Sequence, residues 1–366
     1  MKENTNKPRI IAFYLPQFHP IKENNEWWGN GFTEWTNVGK AKKLFPGHYQ
    51  PKVPADLGYY DLRLSETREA QAKLAQDAGI EGFCYWHYWF GNGKELLETP
   101  FKEVLQSGTP NFPFCLGWAN ETWKKKLWNK DSIGDEILIK QEYNGVQDYT
   151  EHFYSVLPAF KDERYIKVNN QPVFLIYKPF DSPEIPNFIK CWNALAKKEN
   201  IPGIFWIAHC ADEKYDYSKY RELGFNYINT CYILRYFENR IFIKKFIDKL
   251  KKIILHQPSI VNYQTAAKAF YPQKDFDDSK IFPTIITGWD HTPRSGIKGV
   301  VMKNYTPSIF KSVIRNLFEK IKKSDKDYNL VFLKSWNEWG EGNFIEPDLK
   351  YGKDFLTVLK NEIEDF

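Results

Sequence analysis

Eight short apolar runs punctuate the chain, at residues 9–14, 82–85, 113–117, 172–177, 204–208, 227–229, 281–287 and 330–334. Each is a strand's length and carries β-branched or aromatic residues, so each reads as a buried strand. Between them lie stretches with helical periodicity, the clearest at 65–78, closed by Gly79 as a helix stop, and at 186–199 and 308–323. Strand and helix alternating eight times predicts a (β/α)8 barrel, with a doubly wound open sheet as the alternative. The residues just after each run favour the barrel: Gln17 and His19, Trp86 to Trp89, Trp118 with Asn120 and Glu121, Lys178, His209, Tyr232, Trp289 with Asp290 and Arg294, and Asn337, Glu338 and Glu341. A barrel gathers all eight C-terminal strand ends at one mouth, where an open sheet spreads them along a crevice.

Two long insertions interrupt the alternation, so the expectation is one domain over 1–366 with loops added at the C-terminal face. Residues 25–61 carry Trp27, Trp28, Trp35, Tyr49, Tyr59 and Tyr60 among glycines and prolines, the composition of an ordered loop over the mouth. Residues 235–280 contain a basic amphipathic piece at 244–255. A solvated outer helix is the preferred reading, with weak contact to an anionic membrane surface as the alternative.

Composition narrows the function classes. Aromatics make up 17% of the 366 residues, more than a core requires, which leaves rings to line a groove. Lys+Arg 51 against Asp+Glu 46 gives a net charge of +5 without an Arg-rich block, which argues against nucleic acid as the partner. Five cysteines without a CxxC pair read as free thiols, and the polar N-terminus shows no secretory signal or spanning segment; a cytoplasmic protein is expected. No phosphate loop, dinucleotide fingerprint or zinc-type His/Cys set is present, and Asp275-Phe276-Asp277 is too short a motif to place a metal-bound nucleotide sugar, so neither cofactor nor metal is expected.

Candidate chemistry concentrates at Ser335-Trp336-Asn337-Glu338-Trp339-Gly340-Glu341-Gly342. Paired carboxyls suit glycosidic chemistry, and flat rings suit sugar faces. Glu338 and Glu341 are therefore the candidate catalytic pair, with an oligosaccharide or polysaccharide as substrate. Candidate sugar-binding residues are Tyr14, His19, Trp86, His87, Trp89, Trp118, Asn120, Tyr177, Trp289, Asp290, Asn337 and Trp339. Glu121 is a third acid without a close carboxyl partner, Glu346 reads equally as a supporting acid or a surface residue, and Asp290 and Arg294 as a loop-holding pair or as substrate contacts.

Phe344-Ile345-Glu346-Pro347 after Trp336-Asn337-Glu338-Trp339-x-Glu341-Gly342 resembles the closing motif of glycoside hydrolase family 99, the endo-α-mannosidase family. The segment 12–20, with Trp27-Trp28-Gly29 and Glu34-Trp35, is similar to the WbsX group, found in bacterial surface-polysaccharide gene clusters and commonly called glycosyltransferases. Residues 172–177 and Gly288-Trp289-Asp290-x-Thr292-Pro293-Arg294 agree in the same order, so the likeness spans roughly residues 8 to 350. It implies a (β/α)8 barrel acting with retention on α-linked sugars without metal. Glu338 would take the proton of the sugar's 2-hydroxyl to give an anhydro-sugar, and Glu341 would protonate the leaving oxygen. Gly340 stands where the mannosidases have His, and His291 where an Asp follows Asp290. The expected function is a glycosidic-bond enzyme working on a surface polysaccharide or its precursor, with a glycosyltransferase and a non-catalytic sugar-binding barrel as alternatives.

Overall fold

A computed structural model describes residues 7–125, 136–212, 214, 216–240 and 242–366, with the side chains of 242–245 not described. Eight parallel strands form the barrel: β1 (Arg9–Tyr14), β2 (Ile80–Trp89), β3 (Phe114–Trp118), β4 (Gln171–Ile176), β5 (Phe205–Cys210), β6 (Tyr227–Thr230), β7 (Ile281–Ile286) and β8 (Leu330–Lys334). They pair in chain order, and β1 meets both β8 and β2 to close the sheet. In register, Ala12 lies opposite Leu333 on β8, and Ile286 of β7 opposite Lys334. All eight strands are almost wholly buried, as strands covered on both faces must be, which is why they read as unbroken apolar runs. The predicted helices appear at Ser65–Asp77, Ile185–Lys198 and Pro307–Lys322. Four of the five free cysteines are buried.

The chain divides into two compact units, residues 1–81 with 230–366, and residues 82–229. In the first, the 25–61 insertion is partly helical, with Lys22–Trp28 and Glu34–Gly39. The second helix opens on a capping box in which Thr33 and Thr36 exchange side chain to backbone hydrogen bonds, fixing Glu34 at its first position. In 235–280 the basic piece is the helix Phe242–Ile254. Asp275 is buried and accepts a hydrogen bond from Thr230 at 2.8 Å, so the Asp-x-Asp triplet is structural. Among the described residues no helix is long and apolar enough to cross a membrane.

Candidate active site

The first unit holds the acidic pair. After β8 the chain makes a small hairpin, Asn337–Glu338 against Asn343–Phe344, joined by the 3-10 turn Trp339–Glu341. Gly342 closes it in the left-handed region at φ 58°, where a Cβ would lie 2.7 Å from that of Asp290. Glu338 is buried, with Lys334 Nζ at 3.1 Å from both carboxyl oxygens. Burial raises the Glu338 pKa above the ordinary glutamate value; Lys334 opposes this, and the nearby Glu341 adds to it. The Lys334 pKa is lowered by burial but raised overall by the charges of Glu338 and Glu341.

Glu341 accepts a short hydrogen bond from Arg294 Nη1, and His291 Nε2 lies 3.7 Å away. Arg294 Nε donates to Glu34 Oε1 at 2.8 Å, so one guanidinium bridges two carboxylates. Burial alone would lower the Arg294 pKa, but Glu34 and then Glu341 outweigh it and raise it. The Glu34 side chain is only 2% exposed. Gly340 makes this cluster possible: a Cβ there would collide with the Glu34 carboxylate and sit 3.1 Å from Arg294 Nε. The space beside Gly340 is thus filled by an acid from a distant part of the chain. Of the two readings of Asp290 and Arg294, the loop-holding pair does not form. Asp290 is instead surrounded by donors, His48 Nε2 at 2.8 Å and Gln50 Nε2 at 2.7 Å on one oxygen, Thr292 N at 3.1 Å and Thr292 Oγ1 at 2.6 Å on the other. Burial pushes its pKa up, but the His48 hydrogen bond and the Lys52 charge bring it below the ordinary value. Asp290 ties loops together, with its acceptor positions taken by protein. Trp289 is partly exposed, with its ring stacked on His291 at 5.7 Å.

Glu346 is no surface residue. It is 3% exposed and accepts from Tyr60 Oη at 2.8 Å, Gln71 Nε2 at 2.6 Å and Trp339 Nε1 at 2.6 Å, while Tyr14 Oη donates to Gln71 at 2.6 Å. Tyr14, Trp339 and Glu346 therefore brace the floor of the hairpin instead of presenting groups to a sugar. Asn337 does likewise, its amide exchanging two hydrogen bonds with the Leu15 backbone at 2.7 and 3.0 Å. His19 is buried, with Nδ1 3.0 Å from the Pro16 carbonyl oxygen. Burial raises the Glu346 pKa from 4.5 to about 7 against the hydrogen bonds that lower it. The folded protein then binds more protons than the unfolded chain between those values, so stability falls as pH rises through that window and levels off above it. Thermal unfolding followed from acid to neutral pH is expected to show the parent losing on the order of 3 kcal/mol relative to Glu346→Gln, which lacks this titration.

The second unit contains the aromatic candidates, and strand alternation divides them. His87, Trp89 and Trp118 point away from the barrel interior. His87 Nε2 meets His152 Nε2 at 2.8 Å, Trp89 stacks on His152 at 4.6 Å and donates to Asp148 at 3.1 Å, and Trp118 packs on Phe188 at 4.7 Å. Burial lowers the pKa of both histidines. These three are packing residues under the helices Val146–Lys161 and Ile185–Lys198, a correction to their reading as sugar ligands. Asn120 is also structural, its amide engaged by Tyr143 at 2.8 Å and by the Lys178 backbone at 2.8 and 2.9 Å. Glu121 is partly exposed and pairs with Lys178 at 2.8 Å, which makes it a solvated ion pair rather than a third catalytic acid. What remains is a cluster of Trp86, Tyr177 and His209, with Trp86 5.3 Å from Tyr177 and Tyr177 5.2 Å from His209. Gly117 admits the Trp86 ring, since a Cβ there would lie 3.1 Å from it. His209 Nδ1 is fixed by Asn229 at 2.8 Å.

Sequence reasoning alone misses Glu34 and Lys334 as site residues and treats His209 only as a polar strand end. Lys334 is findable, as a lysine closing an apolar strand; Glu34, paired across 260 positions with Arg294, carries no local signal.

Comparison with known proteins supports the same reading of the fold. Among solved structures, a glycoside hydrolase-like protein superposes with a TM-score of 0.64 at 14% identity, covering 98% of this chain and 94% of its own. The glycoside hydrolase family 99 endo-α-mannosidase from Bacteroides thetaiotaomicron gives 0.55 at 13% identity, covering 98% and 96%. At these identities the likeness concerns the barrel alone. Two proteins named uncharacterized protein WxcX, from two strains of Xanthomonas campestris pv. campestris, are 32% identical over 357 residues, 97% of this chain and 49% of theirs. The chain thus spans about half the length of the curated relatives it matches. With a match to the family described as Glycosyltransferase WbsX over residues 10–359, the chain belongs to the WbsX glycosyltransferase family.

Proposed function

We propose that this protein makes or breaks an α-glycosidic bond through Glu338 and Glu341, on a surface polysaccharide or its precursor. One observation carries the reading: two carboxyls on a single turn after the last barrel strand, each held by its own cation, Glu338 by Lys334 and Glu341 by Arg294. A carboxylate whose pKa is raised is a stronger base once ionised. In the proposed sequence Glu338 takes the proton of the sugar's 2-hydroxyl, whose oxygen displaces the leaving group at the anomeric carbon. Glu341 donates its proton to the departing oxygen. A hydroxyl from water or an acceptor sugar then opens the anhydro ring, giving its proton to Glu341 while Glu338 returns its proton to the 2-oxygen, so that both glutamates recover their starting states with net retention. Arg294 has a second partner in Glu34, so it stays paired while Glu341 carries the proton.

Transfer to a sugar acceptor is the second reading, favoured by the family's description. Incubation with activated α-mannosides, nucleotide-linked sugars and lipid-linked oligosaccharides, with products followed by NMR, separates the two. Release of a free α-anomer from simple glycosides supports hydrolysis, and product formation only with an activated donor plus acceptor supports transfer. Turnover with inversion, or none with any donor, refutes the mechanism.

A further inference from the structure

The helix Phe242–Ile254 is turned inside out. Its apolar residues recur at helical spacing and form a stripe roughly 140° wide, yet Phe246, Ile247, Leu250, Ile253, Ile254 and the following Leu255 are all exposed, Ile253 at 61% and Ile254 at 69%. The better covered positions lie on its polar side: Asp248, ion-paired with Arg240 at 2.7 Å, and Lys252. Lys249 and Lys251 flank the stripe and pair with no carboxylate among the described residues. The solvated outer helix preferred from the sequence is therefore corrected: this helix shows water its apolar face.

We infer that this face docks on an anionic lipid surface. Apolar side chains enter the acyl boundary while the flanking lysines extend their stems and set their ammonium groups among phosphates. The sequence of the helix carries five lysines against one aspartate, Asp248, which Arg240 already neutralises, so the charge complements an anionic surface. A second copy is a poor occupant. Thirteen residues make a face of roughly 20 by 10 Å, about a quarter of what each partner gives to a standard interface, and pairing two copies would bring their lysine rims together.

The test is co-sedimentation with vesicles of phosphatidylcholine alone and of phosphatidylcholine mixed with phosphatidylglycerol, at low and high salt. Binding is expected only to the mixed vesicles and is expected to fade with salt. Ile253→Glu/Ile254→Glu should weaken it by about tenfold or more. Lys249→Glu/Lys251→Glu should weaken it by at least about tenfold while leaving the fold intact by circular dichroism. Equal binding to neutral vesicles, no binding to either, or a solution dimer that Ile254→Glu dissociates would overturn the inference. Lipid binding is independent of the catalytic reading, since none of these residues touches Glu338 or Glu341.

Discussion

Glu338→Gln is expected to lower turnover on the true substrate by on the order of a thousandfold, leaving substrate affinity within a few-fold of the parent. Gln is isosteric with Glu and keeps the hydrogen-bonding size of the site, but it removes the group that accepts the hydroxyl proton. The substitution also leaves the Lys334 ammonium, whose side chain is 11% exposed, facing an amide instead of a carboxylate. Some stability is therefore lost, and activity is to be compared at a temperature where both proteins are folded. Glu341→Gln provides the contrast. If Glu341 serves as the acid, its loss is milder on substrates with good leaving groups, such as activated aryl glycosides, than on natural linkages. Glu338→Gln is insensitive to leaving group in this way. Parent-like turnover in both variants would remove the pair from the chemistry and favour a sugar-binding barrel.

Arg294→Met is expected to be the most destabilising substitution around the site. It leaves Glu34 and Glu341, both largely shielded from water, without their shared cation. Breaking a buried ion pair by removing one partner costs about 3–5 kcal/mol, which for a chain of this size corresponds to a fall in melting temperature of roughly 4–7 °C. The double variant Arg294→Met/Glu34→Gln should recover part of that loss, because the stranded Glu34 charge is the larger fraction of the penalty. The coupling between the two substitutions, measured by thermal or urea unfolding, tests this directly. Independent, additive effects would show that the guanidinium and Glu34 are not an energetic unit.

The barrel was legible because parallel strands buried on both faces write themselves as apolar runs, and the strand bounds shift mostly at the ends. β2 is the instructive exception, running on to Trp89 where the expected run stopped at residue 85. Of the six aromatic residues 85–90, five continue the strand. Alternation then sends His87 and Trp89 into the layer of His152 and Phe188, a partition that composition does not display. Polar residues at strand ends misled for a different reason. Asn120 and Asn337 each satisfy backbone groups of a neighbouring segment, and an amide that ties loops has the same sequence appearance as one that waits for a hydroxyl. Glu338 and Glu341 could be singled out because both acids follow the last strand within seven residues. Glu34 could not, since its meaning depends on Arg294 and on the vacancy of side chain at Gly340.

That vacancy has an evolutionary reading. Positions 34 and 340 are coupled: a side chain gained at 340 requires the Glu34 carboxylate to leave its place beside Arg294, or the acid at 34 to be given up. A smaller residue at 34 can be acquired while 340 is still glycine, so the neutral path between the two arrangements has a preferred order of steps. Homologues carrying histidine at 340 are expected to lack an acidic residue at 34, and grafting histidine into this chain should succeed only alongside a change at 34.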